Sequence, residues 1–138
     1  MKTDIIEIDP CWLRYREMEH DGQFAKHLPK LQNLIDNPPK HLSTVLRSLV
    51  KLWKQDFNLS PEDINGGFCE SFAGEAKLIM PVIKVCWDYE IDQDGRDENH
   101  PDFFCWCHCL IVHEGRFYDA ERPDGVDKWS ELPAFCLE

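Results

Sequence analysis

The stretch NGGFCESFAGEAKLIMP, residues 65–81, decides how the rest of the chain is read. Its paired glycines free the backbone at 66 and 67. Cys69, Phe72, Ala73, Ala76, Ile79 and Met80 then recur on one helical face, and Pro81 stops the run. The pattern predicts a turn that becomes a helix over 69–80, with a cysteine at its first position. Taken alone, Cys69 reads as a small apolar filler of a core. At a helix start, unpaired N–H groups and the helix dipole favour a thiolate, and the same residue reads as a nucleophile.

Upstream, residues 1–26 show no clean period. LPKLQNLIDNPP predicts a short helix from about 29 to 36, with Pro29 near its start and Pro38-Pro39 breaking the chain. KHLSTVLRSLVKLWKQDF, residues 40–57, is the clearest helix: Leu42, Val45, Leu46, Leu49, Val50, Trp53 and Phe57 form one broad apolar stripe. NLSPEDI follows as a cap with proline at the first helical position.

Downstream, the period changes to two. Ile83, Val85, Trp87, Tyr89 and Ile91 alternate with Lys84, Cys86, Asp88, Glu90 and Asp92, which predicts a strand over 82–92. An acidic loop leads to FFCWCHCLIVH, 103–113, a strand apolar on both faces and therefore central. Glu114-Gly115 is a tight turn, and RFYDAE, 116–121, is the returning strand of a hairpin. RPDGVDKWSELPAF, 122–135, reads as turns with a short helical segment. Helices come first, about 1–81, and sheet second, about 82–138. The expected fold is α+β in a single domain of 1–138, with the Cys69 helix packed on a short antiparallel sheet.

The formal charge of −11 argues against a nucleic-acid backbone or an anionic membrane surface as partner, because both require clustered Lys and Arg. No apolar run approaches a membrane span, and MKTDIIEIDPCW lacks the basic and apolar regions of a signal peptide. Seven cysteines with no disulfide framework are expected to be mostly free thiols in a reducing cytoplasm.

A cysteine nucleophile needs a base, and the base needs an orienting group. Pairing about the Glu114-Gly115 turn sets His113 near Arg116 and His108 opposite about 121, so Asp119 is a near neighbour of His108. Taken alone, His108 would be a satisfied core histidine and Asp119 a turn aspartate.

GFCESFA (67–73) followed by HCLIVHEGRFYDAERP (108–123) resembles the transglutaminase-like, papain-like cysteine enzymes. In that family Gly-x-Cys opens the central helix, and a strand histidine and a following aromatic-Asp complete the triad. The resemblance spans roughly residues 60–123. It implies Cys69 as nucleophile, His108 as base and Asp119 as orienter. Asn65, with Gln55 behind it, would be the oxyanion donor, and Gly67, Phe68 and Trp106 would flank the substrate cleft. Ser71 stands where the family often has an acid, and Leu110 where a Trp is usual. The implied activity is hydrolysis or acyl transfer at an amide or thioester bond of a protein or peptide, without a cofactor. A cleft near the acidic 92–102 loop would favour basic substrates. A reading of another class is a non-catalytic acidic binding or inhibitory protein on the same fold. The tail YDAERPDGVDKWSELPAF also resembles small bacterial and phage-encoded proteins.

CWCHC, 105–109, raises a metal site as an alternative on Cys105, Cys107 and Cys109. Strand alternation puts those three thiols on one face and His108 on the other, and no C-x-x-C knuckle is present. Small thiols packed against the Cys69 helix are the expected reading. The Asp-rich loop does not complete an EF-hand, because Pro101 stands where the terminal Glu is required.

Overall fold

The structure, a computed structural model, describes residues 22–87 and 108–135. It is α+β. Four helices, α1 (Gln23–Asp36), α2 (Leu42–Phe57), α3 (Pro61–Asn65) and α4 (Cys69–Ile79), precede four strands. These are β1 (Lys84–Trp87), β2 (Cys109–His113), β3 (Arg116–Asp119) and β4 (Arg122–Val126), in spatial order β1-β2-β3-β4 with every neighbour antiparallel. Two 3₁₀ turns, Trp129–Glu131 and Pro133–Phe135, follow. The strand predictions over 88–92 and 103–107 lie outside the described residues.

The α2 stripe forms the centre of the core: Val45, Leu46, Leu49 and Trp53 are fully buried, and Val50 is half-buried at its edge. Phe72, Ala73, Ala76 and Ile79 of α4 pack against it and against Cys109 and Ile111 of β2. α3 begins with a capping box. Ser60 Oγ accepts from Asp63 N at 3.1 Å, and Asp63 Oδ2 accepts from Ser60 N at 3.0 Å, with Pro61 at the first helical position.

Three sequence expectations change. Helix α1 starts at Gln23 rather than near 29, so Pro29 lies inside it. An interior proline removes one backbone hydrogen bond and costs about 3 kcal/mol. Burial of Phe24, His27 and Leu31 on the packed face outweighs that loss. Residues 122–126, read as turns, form strand β4. Its proline is tolerated because β4 is at the edge of the sheet, where one side of the strand has no neighbour to bond. Gly125 in that strand is at φ 84°, and a Cβ there would come within 2.6 Å of the Tyr118 ring. Finally, the supposedly polar face of β1 is covered at Cys86, which packs with Leu110 and Leu132 in a second, smaller core. The 3₁₀ segments bring Leu132 onto that face. The β2–β3 turn carries Glu114 at φ 51° and Gly115 at φ 80°, the left-handed pair that closes a two-residue hairpin. It sets His113 opposite Arg116.

A polar cluster is buried between the first, second and fourth helices. His27 Nδ1 donates to Asp56 Oδ2 at 2.9 Å, and His27 Nε2 lies 3.0 and 2.9 Å from the two oxygens of Glu75. Trp53 Nε1 donates to Glu75 Oε1 at 2.9 Å, and Lys30 Nζ donates to Asp56 Oδ1 at 2.6 Å. His27 is 0% exposed and Glu75 3%. Burial lowers the His27 imidazole, against the pull of Asp56, and raises the Glu75 carboxyl well above the usual carboxylate range. The folded pair therefore holds one proton between Nε2 and the carboxyl. Burial also pushes Asp56 up, but hydrogen bonds from Lys30 and His27 outweigh it and hold it below its ordinary value.

Removing one member of such a cluster strands the others. Glu75→Ala is expected to lose about 3–5 kcal/mol of unfolding free energy, read from urea denaturation. The unfolded Glu–His pair binds two protons below the ordinary Glu value of 4.5, one between 4.5 and 6.5, and none above 6.5. With one proton held in the fold, this pair's contribution to stability rises up to 4.5, is level to 6.5, and falls above it at about 1.4 kcal/mol per pH unit. Urea midpoints across that range test this, and Glu75→Gln, which cannot exchange the proton, should make the alkaline limb shallower by that amount.

Candidate active site

Cys69 is the first residue of α4, and the turn before it is tightly hydrogen-bonded. Phe68 N donates to Ile64 O at 2.7 Å and Gly67 N to the same carbonyl at 3.3 Å, while the Phe68 ring packs edge-on to Trp53 with centroids 6.0 Å apart. This fixes where α4 begins relative to α2 and α3. The Cys69 residue is 6% exposed, and its sulfur accepts a hydrogen bond from Cys109 N at 3.4 Å. The start of β2 therefore lies directly against the start of α4.

His108, the residue before β2, and Asp119, the last of β3, are each 2% exposed. His108 Nε2 donates to Asp119 Oδ2 at 3.0 Å. The other carboxylate oxygen accepts from Glu121 N and Arg122 N, both at 3.0 Å. Asp119 is thus locked by the β3–β4 turn with one oxygen aimed at the imidazole. Nδ1 is the ring nitrogen left for Cys69. Burial works against a charged His108. Hydrogen bonds with Asp119 and Cys69, and the negative charge of both, outweigh it and raise the imidazole to about 9. The three residues therefore form a continuous chain, sulfur to imidazole to carboxylate.

The other sequence candidates fall in different places. Asn65 ends α3 at the rim of this group, where its amide donates to Glu121 Oε2 at 2.9 Å. Gln55 is not with them: it is exposed on α2, lining a groove of about 520 Å³ with Pro29, Lys30, Asn33 and Leu34 of α1. Helical spacing explains this, since Trp53 and Phe57 point to the core and Gln55 lies between them on the other side. Gly67 and Phe68 precede the cysteine, half-buried. Trp106, Cys105 and Cys107 lie outside the described residues. Among the described residues no group of three His, Cys, Asp or Glu side chains is arranged to hold a metal ion. Cys109 is buried in the core that also contains Cys69. Beside the Asp119 turn runs a second groove of about 370 Å³, whose lining includes Arg47, Pro61, Glu62, Glu121 and Arg122.

Sequence reasoning missed Glu121 as the partner of Asn65 and the Cys109 N–H as a donor to sulfur. The first had no signal, since it depends on how the β3–β4 turn meets α3. The second was foreshadowed by the packing expected between the CWCHC strand and the Cys69 helix.

No protein-family model matches the chain, and no curated protein or solved structure resembles it closely enough to count as a match. Among the described residues no helix is long and apolar enough to cross a membrane.

Asp119→Asn separates charge from shape. Its amide oxygen can still accept from Glu121 N and Arg122 N, so the turn survives, but the negative charge beside His108 is gone. The folded imidazole should then titrate well below about 9, as followed by the ring resonances in NMR. The raised His108 contributes stability that is full below 6.5 and lost as pH rises to about 9. The variant should lose that contribution.

Proposed function

We propose that this chain is a cysteine-dependent hydrolase or acyl transferase acting on an amide or thioester bond of a protein or peptide, with a transglutaminase-like or papain-like core. The observation that carries the reading is the Cys69–His108–Asp119 chain: a sulfur at a helix start, an imidazole beside it, and a carboxylate 3.0 Å from the far ring nitrogen. The Cys69 sulfur attacks the carbonyl carbon, and the leaving group departs with a proton from His108. Asp119 holds the ring so that Nδ1 faces the sulfur, and stabilises the imidazolium. N–H groups at the start of α4 face the developing oxyanion, with Asn65 at the rim once its amide leaves Glu121. Water or an amine then resolves the acyl-enzyme. No step requires a cofactor. The charge of −11 favours basic substrates, and free buried thiols at Cys69, Cys86 and Cys109 suit a reducing cytoplasm.

A second reading is a non-catalytic acidic binding or inhibitory protein. It is favoured by the small exposure of Cys69 and by the commitment of the Asn65 amide to Glu121.

Site-resolved iodoacetamide labelling from pH 5 to 9, followed by mass spectrometry, tests the nucleophile. Cys69 should be alkylated at pH 6 well ahead of Cys86 and Cys109, and His108→Ala should abolish that lead. Slow labelling of Cys69 throughout would remove the main support for catalysis. With a substrate found by screening basic peptide amides and thioesters, Cys69→Ala should lower kcat/KM by about 10³-fold or more. Unchanged function in that variant would establish the binding reading.

A further inference from the structure

Cys109 has no role in the chemistry above beyond its backbone N–H, yet its position beside Cys69 is the closest approach of two cysteine residues among the described hydrogen bonds. The 3.4 Å from Cys109 N to Cys69 Sγ places the Cys109 α-carbon within about 5 Å of that sulfur, one N–Cα bond further on. In a disulfide an α-carbon reaches the partner sulfur through three bonds, Cα–Cβ, Cβ–S and an S–S bond of about 2.05 Å, which together span no more than about 5 Å. Both residues belong to the same core between α4 and β2, whereas Cys86 packs in the other core, with Leu110 and Leu132. We propose that Cys109 is a resolving cysteine for Cys69, and that a peroxide converts the two thiols into a reversible disulfide that takes Cys69 out of service.

The chemistry balances with hydrogen peroxide as oxidant. The Cys69 thiolate attacks one peroxide oxygen, the O–O bond breaks, and hydroxide leaves with a proton from His108 as water. Sulfur loses two electrons and becomes the sulfenic acid. The Cys109 sulfur then attacks the Cys69 sulfur, the S–O bond breaks, and the second hydroxide leaves as water with the Cys109 thiol proton. Two thiols and one peroxide give one disulfide and two waters.

Burial orders the two steps. Cys69 is the least buried of the described cysteines, at 6% against 2% for Cys109 and 1% for Cys86. Peroxide therefore meets Cys69 first, with the His108 imidazole beside it to supply a proton. Cys109 needs no contact with solvent, because its target forms beside it. A sulfenic acid with a thiol at hand condenses, whereas one without proceeds to the irreversible sulfinic acid. The second thiol thus protects the first. The proposal concerns the thiols themselves and holds whether or not Cys69 turns over a substrate.

The test uses the full chain carrying Cys105→Ser and Cys107→Ser, so that Cys109 is the only thiol in the tryptic peptide 97–116. After millimolar hydrogen peroxide, non-reducing mass spectrometry should find peptide 55–77, which holds Cys69, joined to 97–116 with the loss of two hydrogens. Dithiothreitol should release both unmodified. Cys109→Ala should abolish the link and divert Cys69 to the sulfinic acid. Three results would overturn the proposal: Cys69 sulfinic acid forming equally fast with and without Cys109, Cys69 linked instead to Cys86, or no oxidation of Cys69. Substrate turnover enters none of these readouts, so a failure here is separate from a failure of the catalytic reading.

Discussion

A glutamate with 3% of its surface exposed sits between His27 of the first helix and Trp53 of the second, and α4 is held where that contact is made. An ionised carboxylate in such a place would be strongly penalised, and a carboxyl stripped of partners would lose its hydrogen bonds as well. The placement of α4 gives His27, Trp53 and Glu75 their hydrogen bonds together. Cys69 lies six residues earlier on the same helix, so the clamp at Glu75 also fixes the sulfur in front of β2. The sheet then has one remaining task, to present His108 and Asp119 to that point, and the tight Glu114-Gly115 turn sets the register that does so.

The fold thus contains two buried imidazole–carboxylate groups with opposite electrostatics. His27 faces Asp56 and Glu75 but is pushed down by burial, with the nearby Lys30 charge acting in the same direction. His108 is also buried, yet Asp119 and Cys69 together raise it to about 9. The first pair stores a proton inside the helical half and acts as structure. The second keeps a proton at the ends of the two central strands, next to a sulfur. A titratable group held away from its ordinary value beside a nucleophile has the character of a reactive site. The same residue types in the helix core do not, because no reactive atom lies beside them.

Much of this was legible in the chain. The α2 stripe, the capping box before α3, the Cys69 helix start and the β2–β3 hairpin are local features, specified by residues within a few positions of one another. The polar clamp also left a trace that is easy to pass over. Glu75 lies three residues after Phe72 and four before Ile79, and His27 lies three after Phe24 and four before Leu31. Each is therefore a polar residue on an apolar stripe, which marks a buried polar pair. The start of α1 and the strand character of 122–126 were misread because proline is a strong local signal. Packing of Phe24 and Leu31 overrode it in one case, and an edge position made it harmless in the other.

By itself, the sequence determined the types of most elements, the order of helices before sheet, the β2–β3 hairpin register and the candidate residues for chemistry. Those follow from backbone sterics and from the periods of apolar residues, which act over short range. Only the tertiary structure decided which reactive residues meet. It brought Cys69 against Cys109 and His108, set Asn65 on Glu121, and turned Gln55 away onto the α1–α2 groove. Those outcomes depend on how α4 seats between α1, α2 and β2, a matter of many weak contacts and a few buried polar bonds. No window of neighbouring residues contains that information.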